Sequence, residues 1–376
     1  MRRVLQIMGG LNRGGLESFA MNLYRAIDKE QIQFDFLLTQ LPGGDYAEEA
    51  KSLGARIYTL PARNQGLKAY KNALDDFFRN HHDYIAIHEH ISSLTSIAPA
   101  YYAKKYGIPV RIFHSHSSSV QKNLKFYWLH VALHYLNKPK VHSWGTVYLG
   151  CSDKALDWMY NLTGVRKKAV MVNNGIDCSQ YEFNTKIRKE VRNEFEIKDE
   201  DFVIGHVGRF IPLKNQAFLI DVIAEVIQFL PSVKLIMVGE GDTLNHVKEY
   251  AVQKNVTDNV IFTGVRSDVN RLMQAMDVLA MPSWFEGLPV SLVEAQATGL
   301  PIVASDTISH DSDLTGTILF KSLKDSALDW GKAIVEWAKT TGRPENIDKI
   351  KRCGFDTKSI AKQLTEIYYG KETTLY

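Results

Sequence analysis

The chain has three cysteines in 376 residues, Cys151, Cys178 and Cys353, scattered and without metal-ligand spacing. That excludes a disulfide framework and suits a reducing compartment. No window approaches 18 apolar residues, so the sequence offers no candidate transmembrane helix. The N-terminal Arg2-Arg3 precedes an apolar run that Gly9-Gly10 cuts far too short for a signal peptide. Low-complexity segments and short-period repeats are missing. So are Gly-x-Gly-x-x-Gly and the Gly-Lys-Ser/Thr ending of a P-loop. Asp311-Ser312-Asp313 has Asp-x-Asp spacing but follows no strand directly, so no metal site is expected. No carboxylate pair at glycosidase spacing can be inferred. The basic residues form no aromatic-interleaved motif, which argues against nucleic acid as a partner.

What is present is ordinary for a globular protein: 45% apolar and 23% charged residues. The length points to two domains at roughly 150 residues each. Net charge is +3, unevenly spread: residues 1–175 hold 22 Lys/Arg against 13 Asp/Glu, the remainder 23 against 29. A basic first half suggests an anionic partner such as a lipid headgroup.

Strands and helices alternate through both halves, which implies two parallel, doubly wound sheets whose ligands bind beyond the carboxyl ends of the strands. In the first half, strands are expected at 3–8, 34–39, 56–60, 84–88, 110–114, 146–151 and 169–172. His88, Glu89 and His90 would follow one strand end, and His114 and His116 another. Asn173-Asn174-Gly175-Ile176-Asp177 is a strong turn. In the second half, strands are expected at 202–207, 234–238, 260–262, 278–281 and 301–304. A helix is expected to start near Leu16, and the last near 357–369.

The most informative stretch is 281–299. A strand ends at Met281, Pro282-Ser283 turns, Glu286-Gly287 opens a loop, and a helix runs from Val290 to Ala297 and stops at Gly299. Backbone N–H groups at Gly287 and Leu288 would face an anion. Glu286 and Glu294, eight apart, fall on nearly the same side. Arg209 and Lys214 add two cations after an earlier strand. A diphosphate leaving group needs such cations and amides.

These residues resemble glycosyltransferase family 4, in order and over essentially the whole chain. The matching segments are Gly14-Gly15-Leu16-Glu17, Asn174-Gly175-Ile176-Asp177, Gly208-Arg209 with Lys214, Val238-Gly239-Glu240-Gly241, Phe262-Thr263-Gly264, Pro282-Ser283 through Glu286 and Glu294, and Pro301 to Asp306. The resemblance implies the GT-B fold: two Rossmann-like α/β domains facing across a cleft, with the terminal helix crossing back. The first domain, 1–174 plus about 356–376, would bind the acceptor, and 175–355 the nucleotide sugar. It also implies a retaining transfer without metal or other cofactor, from a UDP-sugar to a glycan or polyprenyl-diphosphate-linked acceptor. Ile112-Phe113-His114-Ser115-His116 is similar to members that build bacterial capsule or exopolysaccharide. Carried over residue by residue, Arg209 and Lys214 would bind the diphosphate, with Gly14, Gly15 and Gly208 beside it. Glu294 would accept from the ribose, Glu286 would face the sugar, and Gly287, Leu288 and Pro289 would line the site. His116 would face the reacting centre, and Arg266 would lie beside the nucleobase. The departures Asn215, Asp242 and His310 leave the donor sugar open.

Two rival readings stay beside this one: a nucleotide-sugar epimerase of similar architecture, and a non-catalytic nucleotide-sugar-binding subunit. Residues 120–142 combine Lys122, Lys125, Lys138 and Lys140 with aromatics and an apolar stripe, Leu129, Ala132, Leu133 and Leu136. Such a helix can lie on a membrane, although the stripe reads more readily as domain core. The expected location is the cytoplasm, with contact at the inner face of the plasma membrane.

Overall fold

The computed structural model describes residues 1–12, 14–40, 43–120 and 126–371. It divides into two compact units, Met1–Gly175 with Asp356–Tyr376, and Ile176–Phe355.

The first unit runs β1 (Arg2–Met8), α1 (Gly15–Ala26), β2 (Ile32–Leu38), α2 (Ala47–Ser52), β3 (Ile57–Thr59), α3 (Leu67–Asn80), β4 (Ala86–Ile91), α4 (Ala98–Lys105), β5 (Val110–Ser115), α5 (Tyr127–Trp144), β6 (Val147–Gly150), α6 (Asp153–Tyr160) and β7 (Val170–Met171). All pairings are parallel, in the order β3-β2-β1-β4-β5-β6-β7. Every residue of β2 is buried, because helices cover both faces of such a sheet. On α3, Tyr70, Leu74, Phe77 and Phe78 form the buried stripe at helical spacing.

The second unit runs α7 (Thr185–Glu194), β8 (Phe202–Val207), α8 (Gln216–Val226), β9 (Val233–Val238), α9 (Leu244–Gln253), β10 (Val260–Gly264), α10 (Val269–Ala275), β11 (Val278–Met281), α11 (Val290–Ala297), β12 (Ile302–Ser305), β13 (Ile318–Lys321), α12 (Ala327–Thr341) and α13 (Ile347–Arg352). Its parallel sheet has the order β10-β9-β8-β11-β12-β13. The chain then returns to the first unit as α14 (Thr357–Tyr368), which packs Ile360, Leu364, Ile367 and Tyr368 into the core beneath α1. Asp356 caps it by accepting from Ser359 N at 2.9 Å.

Strand order reverses at β1/β4 in one sheet and at β8/β11 in the other. In open α/β sheets these switch points leave a crevice beyond the carboxyl ends of the strands.

Two expectations need correction. β4 continues to Ile91, so His88, Glu89 and His90 lie inside the strand, and His114 lies inside β5. His88 is hydrogen-bonded to His114 of β5 and His90 to Gln6 of β1, so these polar side chains are satisfied inside the sheet and do not end the strand. The stripe on α5 is not core: Leu129 is 57% and Leu136 68% exposed, whereas Lys138 is 4% exposed and donates to the carbonyls of Trp158 and Asn161. Lys122 and Lys125 lie outside the described residues.

Candidate active site

At the β8/β11 switch point three loops are stitched together by their backbones. Gly208 N donates to Val238 O at 3.0 Å and Phe210 N to Glu240 O at 2.8 Å. This close approach explains two glycines. Gly239 has φ +133° and Gly241 φ +150°, and a Cβ there would meet Gly208 O at 2.2 Å and Phe210 O at 2.3 Å. Trp284 N donates to Leu213 O at 2.9 Å, and Asn215, left-handed at φ +54°, donates from Nδ2 to Pro282 O at 3.2 Å.

The stitching brings Lys214 and Glu286 together. Lys214 Nζ forms an ion pair with Glu286 Oε1, and the two side chains are only 15% and 14% exposed. The Glu286 backbone bridges to Ile308, after β12, which fixes its position. Beneath them His206 is fully buried and donates from Nδ1 to Ala280 O at 2.9 Å, leaving Nε2 without a partner. Burial, with Lys214 adding to it, pushes the His206 pKa down to about 4, so the ring is neutral. Ser283 Oγ and Gln216 Oε1 are also buried without partners. Arg209 is exposed and, among the described residues, forms no ion pair. A partly desolvated amine, an exposed guanidinium and unpartnered polar atoms around them form a place where an anion can compete for Lys214.

The helix after this loop, α11, carries Glu294. Tyr181 Oη donates to Glu294 Oε1 at 2.6 Å across 113 residues of sequence. Burial raises the Glu294 pKa, and the Tyr181 bond opposes the rise. The Tyr181 phenol is raised by burial and by the Glu294 charge. Tyr181 was not among the expected residues. Only its place four residues after Asp177 would have drawn attention to it.

Gly287 has open space around its Cα, and Pro289 is the N-cap of α11. Leu288 packs against the core of this unit. Arg266 is not part of this group. Its guanidinium is spent on Asp268 at 2.8 Å and Glu194 at 2.9 Å.

In the first unit, Gly14 opens α1 with extended backbone. A Cβ there would meet Glu17 Oε2 at 2.3 Å, whereas Gly15 borders open space. The β1/β4 switch point holds four imidazoles. His88 Nε2 lies 3.0 Å from His114 Nδ1, and His90 Nδ1 lies 2.9 Å from His116 Nε2. The other nitrogens of His88 and His90 meet Tyr368 Oη at 2.8 Å and Gln6 Oε1 at 2.8 Å. Burial lowers all four pKa values, that of His116 to about 3, so the rings are neutral at neutral pH. One ligand nitrogen from each of His88, His90 and His114 lies within 4.8 Å of the others, within reach of one ion.

Residues 13–180 match the family model described as Glycosyltransferase Family 4, and residues 201–339 the one described as Glycosyl transferases group 1. The putative glycosyltransferase EpsF of Bacillus subtilis (strain 168) is 32% identical over 98% of this chain and 96% of its own. This chain is a family 4 glycosyltransferase. Among more distant relatives of this glycosyltransferase, the capsular polysaccharide biosynthesis glycosyltransferase CapH of Staphylococcus aureus is 25% identical over 99% of both chains. The UDP-Gal:alpha-D-GlcNAc-diphosphoundecaprenol alpha-1,3-galactosyltransferase of Escherichia coli is 25% identical over 81% of this chain and 78% of its own. The Anabaena protein HepE, solved in complex with UDP-glucose, superposes with a TM-score of 0.76 at 19% identity over 98% of this chain and 100% of its own. That likeness establishes the GT-B fold of the two Rossmann-like units.

Proposed function

We propose that this glycosyltransferase moves a sugar, with retention, from a UDP-sugar to a glycan or lipid-linked acceptor during bacterial capsule or exopolysaccharide synthesis. The observation that carries the reading is the Lys214–Glu286 pair at the β8/β11 switch point, with the Tyr181–Glu294 pair on the adjoining helix. The names of the E. coli and S. aureus relatives and the ligand of HepE support the donor and acceptor classes.

In the reaction the bond from the anomeric carbon to the diphosphate oxygen breaks, and UDP leaves with the bonding electrons. An acceptor hydroxyl oxygen bonds to the same carbon on the same face, and its proton passes to the departing phosphate. Lys214 and Arg209 neutralise the growing charge, assisted by amides at Gly287 and Leu288, so no metal is required in this scheme. Lys214 turns from Glu286 to the phosphate, and Glu286 is left to accept from the donor sugar. Glu294, held by Tyr181, accepts from the ribose. Arg266 would reach a nucleobase only by leaving Asp268 and Glu194.

UDP-glucose, GDP-glucose and ADP-glucose tested by thermal shift check the donor. Binding to the native state raises its stability by mass action, so a shift confined to UDP-glucose is expected. Equal shifts with all three would overturn the choice of UDP. UDP release that requires a lipid extract would separate transfer from hydrolysis.

No helix among the described residues is long and apolar enough to cross a membrane. Trp128 is 77% exposed on α5, beside the exposed Leu129 and Leu136. This face, with the positive charge of the first half, is assigned to the surface of an anionic bilayer. Lys138 is buried and takes no part in this face.

A further inference from the structure

The four histidines form two hydrogen-bonded pairs that meet at one carboxamide, and counting protons along them decides every tautomer. Each neutral ring has one N–H and one lone pair. Gln6 Oε1 can only accept, so His90 Nε2 carries the proton and His90 Nδ1 is bare. His90 Nδ1 therefore accepts from His116 Nε2–H, and His116 Nδ1 is left bare. On the other side Gln6 Nε2 donates to Tyr368 Oη at 3.4 Å. The phenol proton then goes to His88 Nδ1, and His88 Nε2–H donates to His114 Nδ1. All four rings are Nε2–H tautomers, and the polarity of both branches is set by which way the Gln6 carboxamide faces.

The two branch ends are the buried atoms without partners, His114 Nε2 and His116 Nδ1. His114 is fully buried, and Phe19 lies edge-to-face with it at 5.0 Å between ring centroids. His116 follows the carboxyl end of β5 and is the one ring of the four that is not fully enclosed. A metal ion is the alternative occupant of such a cluster. Two nitrogens bound to one zinc at 2.0–2.1 Å in a tetrahedron lie about 3.4 Å apart. Within the group His88, His90 and His114, the 3.0 Å between His88 Nε2 and His114 Nδ1 is a hydrogen-bond distance with a proton between the rings.

We infer that Gln6 is a positioning residue: through His90 it holds His116 as the Nε2–H tautomer, so that the bare Nδ1 accepts a hydrogen bond from a hydroxyl of the sugar acceptor. This rests on the glycosyl-transfer reading for the identity of the hydroxyl, and on the hydrogen-bond polarity alone for the tautomer. The relay moves no proton over its length. It determines which atom His116 presents.

The test is long-range 1H–15N spectroscopy of the whole protein with labelled histidine, His116→Gln assigning the signal. Expected is a protonated Nε2 and a bare Nδ1 on His116. Gln6→Leu removes the acceptor for His90 and should mix the His116 tautomers. UDP release from UDP-glucose with a bacterial lipid extract should then fall on the order of tenfold to a hundredfold in kcat, with KM for UDP-glucose within about twofold. Gln6→Glu still accepts from His90 and should keep both the tautomer and most of kcat. A merely structural role predicts the reverse order, since Leu is easier to bury than a carboxylate. A protonated Nδ1 on wild-type His116, an unchanged tautomer in Gln6→Leu, Gln6→Glu no better than Gln6→Leu, or one tightly held equivalent of added Zn²⁺ on the histidines would overturn the inference. Failure of wild type to bind UDP-glucose would instead overturn the donor reading, and would leave the tautomer result standing.

Discussion

At its switch point the first unit holds four uncharged imidazoles around a carboxamide, three of them buried and His116 partly exposed. At the matching point the second unit holds an amine against a carboxylate and a phenol against another carboxylate. The sheets are alike, so the difference lies in side chains alone. Neutral rings linked by hydrogen bonds bring no net positive charge to an anion, but they can present a lone pair in a defined direction. A lysine shared with Glu286 can turn to a phosphate if a donor hydroxyl takes its place at the carboxylate. The same architecture thus gives one surface suited to a hydroxyl and one suited to a diphosphate.

The largest effect expected from this contrast is on acid stability. In the first unit the pKa values of His88, His90, His114 and His116 are all lowered, and His134 is lowered to about 4. The second has His206 alone among shifted histidines. Each folded pKa lies below the unfolded value near 6.5, so the unfolded chain binds more protons. Stability is full above pH 6.5 and falls as pH drops toward 4 and 3, by up to about 1.4 kcal/mol per pH unit for each group. Hydrogen exchange read by mass spectrometry between pH 7 and 4.5 should show β4 and β5 opening well before β8 and β11. Simultaneous opening, or β8 and β11 first, would break the comparison.

Next in size is the charge in the second unit. Lys214→Ala should lower kcat on the order of 10²–10³-fold, the cost of removing one preorganised donor to a developing anion. Arg209→Ala should act in the same direction, with cooperative unfolding retained in both. Near wild-type turnover in both would remove the diphosphate site. On α5, joint replacement of Trp128, Leu129 and Leu136 by Ser should weaken cosedimentation with phosphatidylglycerol vesicles several-fold. Unchanged cosedimentation would remove the membrane face.

The strand–helix alternation was legible because parallel strands are continuous apolar runs and helices carry a 3.6-residue period. β8, β11 and α11 therefore fall where the pattern places them. The polar strand β4 did not, because His88 and His90 resemble a strand end until Gln6 and His114 are seen to satisfy them. Yet His-x-His at 88/90 and again at 114/116 has the period of two that puts each pair on one face. β13, α12 and α13 carry no site motif, and no sequence signal singled them out. On α5, helical spacing identified a stripe but not what covers it. The pairings Lys214–Glu286 and Tyr181–Glu294 join residues 72 and 113 positions apart. Only the crossing order of the strands brings them together.

The smallest effect belongs to Tyr181. Its hydroxyl donates to Glu294 Oε1 at 2.6 Å and holds the carboxylate in one orientation. Tyr181→Phe keeps the ring and its packing and removes one hydrogen bond to a charged group, worth about 1.5–3 kcal/mol when both partners stay buried. Solvent or a ribose hydroxyl can replace part of that bond, so the loss in UDP-glucose affinity should be about fivefold to tenfold. Burial already raises the Glu294 pKa, and the same Tyr181 bond counteracts the rise. Removing the bond moves the folded pKa further up, so the variant should lose UDP-glucose affinity at a higher pH than wild type as the solution is acidified. Calorimetric titration at pH 7.5 and 5.5 measures both. If Tyr181→Phe weakens binding equally at the two pH values, the Tyr181 bond orients Glu294 without setting its titration. If it leaves binding unchanged at both, Glu294 is not the ribose acceptor, and the polar pair on α11 is a structural bond within the second unit.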